Sequence, residues 1–246
     1  MINQAVILAG GKGERLRPLT NHIPKPMALI YGTPFMDYLI QSIVDIGIRK
    51  ILILVGYKSE VITNYYKNIK DLKIEFSFGT ENDRTGKRIL NAYEKLDDHF
   101  LLLYGDNYWS IDLENIISLY RKLNVSMLTT VFSNKKGTGE YGFENNIVID
   151  RNNYVKEYDK ERNNDQANGV DIGYFVVAKN SLDPFVKENI SFEMDILPPL
   201  IANNQLGAYL TDNQYYYITN IDSLKNFESI VKKNNFAPLS KRYFGG

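Results

Sequence analysis

Three observations in this 246-residue sequence predict a doubly wound α/β fold, its sheet mixed but mostly parallel. Short apolar runs alternate with helical patterns of roughly ten or more residues, the rhythm of successive βαβ units. The runs are nearly continuous in apolar residues, as in strands covered on both faces. After Ser133 the segments shorten, which adds small antiparallel pieces to the C-terminal half of a Rossmann-like sheet.

Gln4 to Leu8 (QAVIL), bounded by glycine, reads as the first buried strand. Thr33 and Pro34 open a helix through FMDYLIQSIVDIG, with threonine as N-cap, proline in the first turn and Gly47 as the exit. RKILILVGY is a second buried strand. Ser59 starts an amphipathic helix through EVITNYYKNI, and Ile74 to Phe78 is a third strand. Gly86 to Leu96 and Leu113 to Leu123 read as helices, with FLLLY as a strand between them and SMLTTVF as one after them. NNIVID, YVKEYDK and VDIGYFVVA read as the antiparallel additions, and Glu193 to Asn203 and Asp222 to Asn234 as the last helices. With no internal repeat or linker, residues 1–246 are expected to form a single domain, divided into halves 1–132 and 133–234 and a tail, 235–246. NNFAPLSKRYFGG at the end is either a docking segment or the remnant of a longer chain.

Composition narrows the chemistry. Hydrophobic residues make up 44% and charged residues 24%, an ordinary globular balance. Lysine and arginine total 29 against 29 acids, so no net field draws in a nucleic-acid backbone, and no nucleic-acid partner is expected. No apolar run reaches the roughly 20 residues of a membrane span. The opening MINQAVILAGG turns to glycine too early for a signal peptide, so a cytoplasmic protein without a membrane partner is expected. Cysteine is absent and only His22 and His99 are present, which excludes thiolate catalysis and cysteine-based zinc sites. Any enzymatic function must run on carboxylates, cations and backbone groups, with or without a metal.

The stretch LAGGKGERLRPLTNHIPKP, Leu8 to Pro26, concentrates that chemistry. A glycine-rich turn directly after a central strand lets backbone amides close around an anion, because no Cβ blocks the approach. That suits a nucleoside triphosphate. Arg15 would meet phosphate oxygens with its planar fork, and Lys25 would add a second charge from a proline-restricted segment. Arg17 either helps or faces solvent. The competing reading is a glycine-rich surface turn followed by a solvated basic loop. The dinucleotide fingerprint is absent, since Leu16 holds the third glycine position, and GxxxxGK[ST] occurs nowhere. A literal G-x-G-x-x-G at Gly137, Gly139 and Gly142 precedes a strand-like segment, which makes it a hairpin loop or a substrate-facing turn.

LAGGKGERLRPLT followed by PKPM resembles the signature of sugar-1-phosphate nucleotidyltransferases, Gly-Gly-x-Gly-x-Arg-Leu and then Pro-Lys-Pro. GTPFMDYLIQSIVDIGI resembles that family's first helix, VGYKSEVITNYY its second βα unit and YGDN its acidic turn. The likeness is dense to about Phe132 and traceable to about Leu224. It implies transfer of a nucleotidyl group to a sugar 1-phosphate with release of pyrophosphate, for bacterial capsule or lipopolysaccharide synthesis. Residues 1–132 would then be the nucleotide-binding half and 133–234 the sugar-phosphate half. No general base is needed, because a phosphate monoester is largely ionised near neutral pH, its second pKa lying near ~6. By the same resemblance, amides of Leu8, Ala9, Gly10, Gly11, Lys12 and Gly13 would cradle the nucleotide. Arg15 would lie on the leaving pyrophosphate, Lys25 near the transferred phosphoryl group, and Asp106 would hold Mg²⁺. The setting of Asp106 agrees, since FLLLYGDN puts a carboxylate just past an apolar strand; the plain alternative is an Asx turn.

The segment TENDRTGKRIL stands where relatives contact the base, which assigns Thr80, Thr85 and Gly86 to nucleotide binding. It is similar to the Thr-Gly-Gly-Arg-Leu form of glucose-1-phosphate cytidylyltransferase and tilts the donor toward CTP; heptose-1-phosphate guanylyltransferases of similar size keep GTP open. Its alternative is a plain helix start with Lys87 and Arg88 solvated. On the sugar-phosphate side the resemblance assigns Gly142, Lys160, Asp171 and Glu193. YDKER replaces the family's Phe-x-Glu-Lys-Pro, putting Lys160 one place early; GVDIGYFVV places Asp171 at an asparagine position. By the resemblance Tyr217 stands where a second acidic metal ligand is usual, so either Asp106 alone suffices or Asp212 or Asp222 contributes; Glu193 either lines the sugar pocket or caps its helix. Two further readings stay open: a cytidylyltransferase for a polyol phosphate such as glycerol phosphate, and a non-catalytic nucleotide-sensing subunit. A homo-oligomer is compatible with each.

Overall fold

The computed structural model describes residues 2–186 and 188–239. The strands are β1 (Gln4–Leu8), β2 (Lys50–Val55), β3 (Lys73–Phe78), β4 (His99–Tyr104), β5 (Met127–Phe132), β6 (Ile147–Ile149), β7 (Val155–Tyr158), β8 (Val170–Ala178) and β9 (Leu206–Thr211). Seven of them form one sheet in the order β9-β5-β8-β4-β1-β2-β3. Every neighbouring pair is parallel except the two made by β8, which is antiparallel to β4 and to β5. The chain leaves β1 for β2 and β3 on one side and returns to β4 on the other. The strand order therefore reverses between β1 and β4, and in such sheets a crevice opens beyond the carboxyl ends at that point.

The helices are α1 (Phe35–Asp45), α2 (Ser59–Tyr66), α3 (Thr85–Asn91), α4 (Leu113–Leu123), α5 (Leu197–Ala202) and α6 (Ile221–Asn234). Period-two alternation along the strands sorts them. Ala5, Ile7, Ile51, Ile53, Leu101 and Leu103 face one core with Leu39, Ile43, Ile62 and Ile116 of α1, α2 and α4. Val6, Leu52, Leu54, Phe100 and Leu102 face the other, with Ile89 and Leu90 of α3 and Leu197 of α5. Each such fully buried aliphatic side chain contributes roughly 1.5–3 kcal/mol, so both faces of the sheet must be covered for it to exist. A third cluster seats α6 against α1, with Phe35 and Phe227 edge to face at 4.9 Å. It also holds Leu16, buried completely one residue after Arg15.

Several elements differ from expectation. Thr33 and Pro34 pair with Leu29 and Ile30 in a tiny hairpin, so α1 starts at Phe35 instead of being capped by Thr33. The helix expected over Gly86–Leu96 is α3 followed by a separate 3-10 turn at Tyr93–Lys95. The one expected over Glu193–Asn203 begins as a π turn, Phe192–Ile196, because Pro198 and Pro199 cannot donate to a regular ladder before them. VDIGYFVVA is indeed antiparallel, but it lies inside the main sheet, while β6 and β7 form the small one. QLGAYLT was not foreseen as a strand; it is β9, the outer strand beside β5. Of the tail, Phe236 stacks on Tyr108 at 5.0 Å and the buried Leu239 donates its N–H to the Asp37 carbonyl. Residues 240–246, the rest of the predicted tail, lie outside the described residues.

Candidate active site

At the reversal between β1 and β4 lies a cleft of about 590 Å³. Its walls include Leu8 to Arg15, Lys25, Thr85, Arg88, Tyr104, Gly105, Asp106, Lys160 and Glu193. The loop after β1 is tied to β2 at two points: the Ala9 N–H donates to the Leu54 carbonyl, and the Gly10 carbonyl accepts from Tyr57 N–H, both at 3.0 Å. On the other side the Gly105 N–H donates to the Leu8 carbonyl, and a Cβ on Gly105 would stand 2.7 Å from that oxygen. Glycine is required there because the two strand exits touch through backbone.

Lys25 and Asp106 meet across 81 residues of sequence, Nζ to Oδ2 at 2.8 Å. The prolines at 24 and 26 set a short 3-10 turn, Lys25–Met27, that buries Lys25 to 7% exposure. Burial would raise the Asp106 carboxyl, but the Lys25 ammonium, with Arg15 as a weaker contributor, holds it below the ordinary carboxylate range. Asp106 is therefore ionised at neutral pH. The Ile218 N–H donates to the Asp106 carbonyl, and Tyr217 pairs with Asn107 beside it, its hydroxyl on the Gly139 carbonyl. Tyr217 thus sits beside Asp106 and offers no carboxylate there. Asp212 is engaged by Ser133 and Lys135, and Asp222 sits exposed at the start of α6. Neither lines the cleft. Among the described residues no three His, Asp or Glu side chains converge as a metal cluster.

Glu193 is buried and accepts from three hydroxyls: Tyr104, Ser191 at 2.6 Å and Thr85 at 2.7 Å. Burial alone would raise its carboxyl; the three donors bring it below the ordinary value. Ser191, the residue that precedes the π turn, is the one whose hydroxyl also caps it, so Glu193 does not serve as the cap. Lys160 reaches the cleft wall from an exposed turn.

Four predicted residues stand off the wall. Thr80 makes a turn with Asp83, through its N–H at 2.9 Å and its hydroxyl at 2.8 Å. Gly86 is packed under Ile190, whose carbonyl would lie 2.9 Å from an added Cβ. Gly142 forms the exposed turn back to Gly139. Asp171 accepts from Thr129, Gly173 N–H and Tyr158 beneath the sheet end, and burial pushes its carboxyl up to about 6.

One wall residue was not among the predicted site residues, and the alternative reading of its segment left it solvated. Arg88 is 5% exposed, its guanidinium donating to the Thr80 carbonyl at 2.8 Å and to the Val55 carbonyl at 3.4 Å. Added Cβ atoms on Gly10 and Gly56 would lie 2.0 and 2.2 Å from its Nη1. Burial lowers its pKa against the opposing charge of Asp83. The signal in the sequence was the coincidence of three strand-exit glycines, 10, 56 and 79, around one cation; each alone looks like a turn residue.

A family model described as nucleotidyl transferase matches residues 4–224. Over 187 residues the chain is 34% identical to the bifunctional protein GlmU of Methanocaldococcus jannaschii, covering 76% of this chain and 43% of that protein. It is 28% identical to the probable glucose-1-phosphate cytidylyltransferase of Bacillus subtilis, covering 94% and 96%. Against the D-glycero-alpha-D-manno-heptose 1-phosphate guanylyltransferase of Campylobacter jejuni, identity is 31% with coverage of 77% and 83%. The chain thus spans less than half the length of the bifunctional relative. The crystal structure of HddC from Yersinia pseudotuberculosis shares the fold, with a TM-score of 0.75 at 23% identity over 93% of this chain and 99% of that one.

Proposed function

From the premise that the chain belongs to the nucleotidyl transferase family, we propose that it joins a nucleoside triphosphate to a sugar 1-phosphate, yielding a nucleoside diphosphate sugar and pyrophosphate. The observation that carries this reading is the Lys25–Asp106 pair in the wall of a glycine-lined cleft that Arg15 also lines. A phosphate oxygen of the acceptor attacks the α-phosphorus, and the bond to the pyrophosphate oxygen breaks. The acceptor is already an anion, so no proton need be removed. The work is to hold two polyanions in line and to stabilise charge on the leaving group. Lys25, nearly buried, supplies fixed positive charge at the transferred phosphoryl group, and Arg15 does so at the pyrophosphate. The donor set fits Mg²⁺, which is commonly held by one or two carboxylates together with phosphates and water. Asp106, ionised and within the cleft, would hold it, and when bound it would neutralise phosphate charge.

The cradle is expected to take the nucleotide along Leu8, Ala9, Gly10, Gly11, Lys12 and Gly13, with Thr85 and the buried Arg88 at its inner side. Lys160 and Glu193 lie on the wall assigned to the sugar phosphate. CTP and GTP are the favoured donors and a hexose or heptose 1-phosphate the favoured acceptor, in keeping with the cytidylyl- and guanylyltransferase relatives. The same reading places the enzyme in the cytoplasm, supplying activated sugar for a capsule or lipopolysaccharide; no helix among the described residues is long and apolar enough to cross a membrane. The test is pyrophosphate release with each of the four ribonucleoside triphosphates against a panel of sugar and polyol phosphates. Asp106→Asn, which keeps an acceptor for Lys25, is expected to lose at least a hundredfold in turnover while remaining folded. Near-normal turnover in that variant removes the metal assignment, and no turnover by the unaltered protein with any pair removes the reaction.

A further inference from the structure

The glycine pattern at 137–142 is not absorbed by the cleft, yet it is tightly built. Asn134, 3% exposed, spans the turn: its Oδ1 accepts from Gly139 N–H at 3.0 Å, and its Nδ2 donates to the Gly142 carbonyl at 2.9 Å and to Asn145 at 3.0 Å. Gly137 and Gly142 both have φ near +62°, a conformation that disfavours other side chains. The turn's contents are fixed as well. The Glu140 N–H donates to the Tyr215 hydroxyl at 3.0 Å, and the Glu140 carboxylate accepts from Thr219 at 2.6 Å. Tyr141 lies under the guanidinium of Arg162, 4.3 Å from ring centre to Cζ.

This rigid turn meets the glycine-rich loop at one residue. Arg15 Nη1 donates to Glu140 Oε1 at 3.0 Å and to the Tyr141 hydroxyl at 2.7 Å. The Arg15 side chain is 57% exposed, so packing does not order it; those two bonds do. They use a single nitrogen of a group with five N–H donors, leaving the rest of the fork for an anion. We propose that Glu140 and Tyr141 are positioning residues for the reaction, bracing Arg15 toward the triphosphate before it binds. The inference rests on the reading of Arg15 as a phosphate-binding group given above.

A long cation that is already ordered loses less on binding than one that must be fixed by its ligand. Removing the brace should therefore weaken donor binding and spare acceptor binding. Glu140→Ala and Tyr141→Phe are expected each to lower kcat/KM for the nucleoside triphosphate by about three- to ten-fold, the cost of ordering one such side chain. The KM for the sugar phosphate should stay within about twofold, and Glu140→Gln, which retains an acceptor, should recover most of the loss. Dissociation constants for inorganic pyrophosphate, measured by calorimetry on the same full-length proteins, should weaken in parallel. In an Arg15→Ala background the brace variants should add no further loss.

Tyr141→Phe removes only one exposed hydroxyl and keeps the ring, so a folding failure at position 140 does not remove the test. Tighter pyrophosphate binding in Glu140→Ala would overturn the proposal, because Glu140 would then be competing for Arg15. Unchanged donor kinetics, or equal losses for donor and acceptor, would overturn it too. Activity in the unaltered protein separates these outcomes from failure of the reaction assignment itself.

Discussion

Replacing Gly10 by alanine asks whether the buried Arg88 guanidinium forms the floor of the cleft. A Cβ at position 10 would stand 2.0 Å from Arg88 Nη1 and 2.4 Å from its Cζ, well inside the roughly 3.5–4.0 Å of a favourable contact. If the guanidinium stays in place, the strain of overpacking is about 1–3 kcal/mol. If it moves, the charged hydrogen bond to the Thr80 carbonyl is lost, at about 1.5–3 kcal/mol. The chain adopts whichever response is lower in energy, so the two are alternatives and the expected destabilisation is about 2 kcal/mol. For a chain of this length that lowers the melting midpoint by about 4–8 °C. Gly11→Ala is the control within the same loop, because nothing lies within 4 Å of its added Cβ. Its stability should be unchanged or higher by up to about 1 kcal/mol through the narrower unfolded ensemble. Urea and thermal unfolding of both variants, with Gly10→Ala repeated beside Arg88→Met, make the measurement. In that background the penalty should fall below about 1 kcal/mol, since the rigid charged fork is gone. Equal stabilities for the two alanine variants, or an undiminished penalty beside Arg88→Met, would refute the packing account.

Two further outcomes are expected, beside those for Asp106 and Glu140. Asp171 has its carboxyl raised by burial to about 6 from the ordinary 3.8, so the folded chain keeps a proton that the unfolded chain loses near pH 4. Its contribution is fully present below that pH and is lost as pH rises through about 6, a change of roughly 3 kcal/mol at most. Unfolding free energies at pH 4, 5, 6 and 7 should show that decline, and Asp171→Asn should flatten it; an identical slope in both proteins removes the assignment. Tyr66→Phe takes one hydroxyl donor, at 2.6 Å, from the fully buried Asp37 carboxylate. The expected loss is about 1–3 kcal/mol by chemical denaturation, with pyrophosphate binding unchanged because neither residue lines the cleft. A loss under half a kcal/mol would show that the remaining partners of Asp37 suffice.

Much of the cleft could be read from local pattern. Each βα unit in the first half announces itself by an apolar run, a glycine exit and a helical period, and a site beyond β1 follows from sheet topology. Glycine and proline around Arg15 and Lys25 are turn chemistry, so the loop could be placed by eye. Where the reading slipped, a local signal competed with a distant contact. Thr33 has the makings of an N-cap, yet its backbone is taken by Ile30 in the hairpin. Arg88 sits at a helix start like any solvated cation, yet it is enclosed by glycines that end β1, β2 and β3. Asp171 looked like a sugar ligand by position but spends its oxygens on Thr129, Gly173 and Tyr158.

The order of strands and helices through β5, the glycine loop and the identity of the charges available were settled by the sequence, because periodicity, capping and turn preference act over a few residues. Which charges meet was settled only in three dimensions. Lys25 finds Asp106 across 81 positions, and Arg15 finds Glu140 across 125. Such pairings depend on where a long chain returns to one sheet end, and β4, parallel to β1 and beside it, brings Asp106 back to the loop that carries Lys25. Burial raises both carboxyls, but Lys25 keeps Asp106 ionised, whereas Asp171, with no cation bonded to it among the described residues, holds its proton to higher pH.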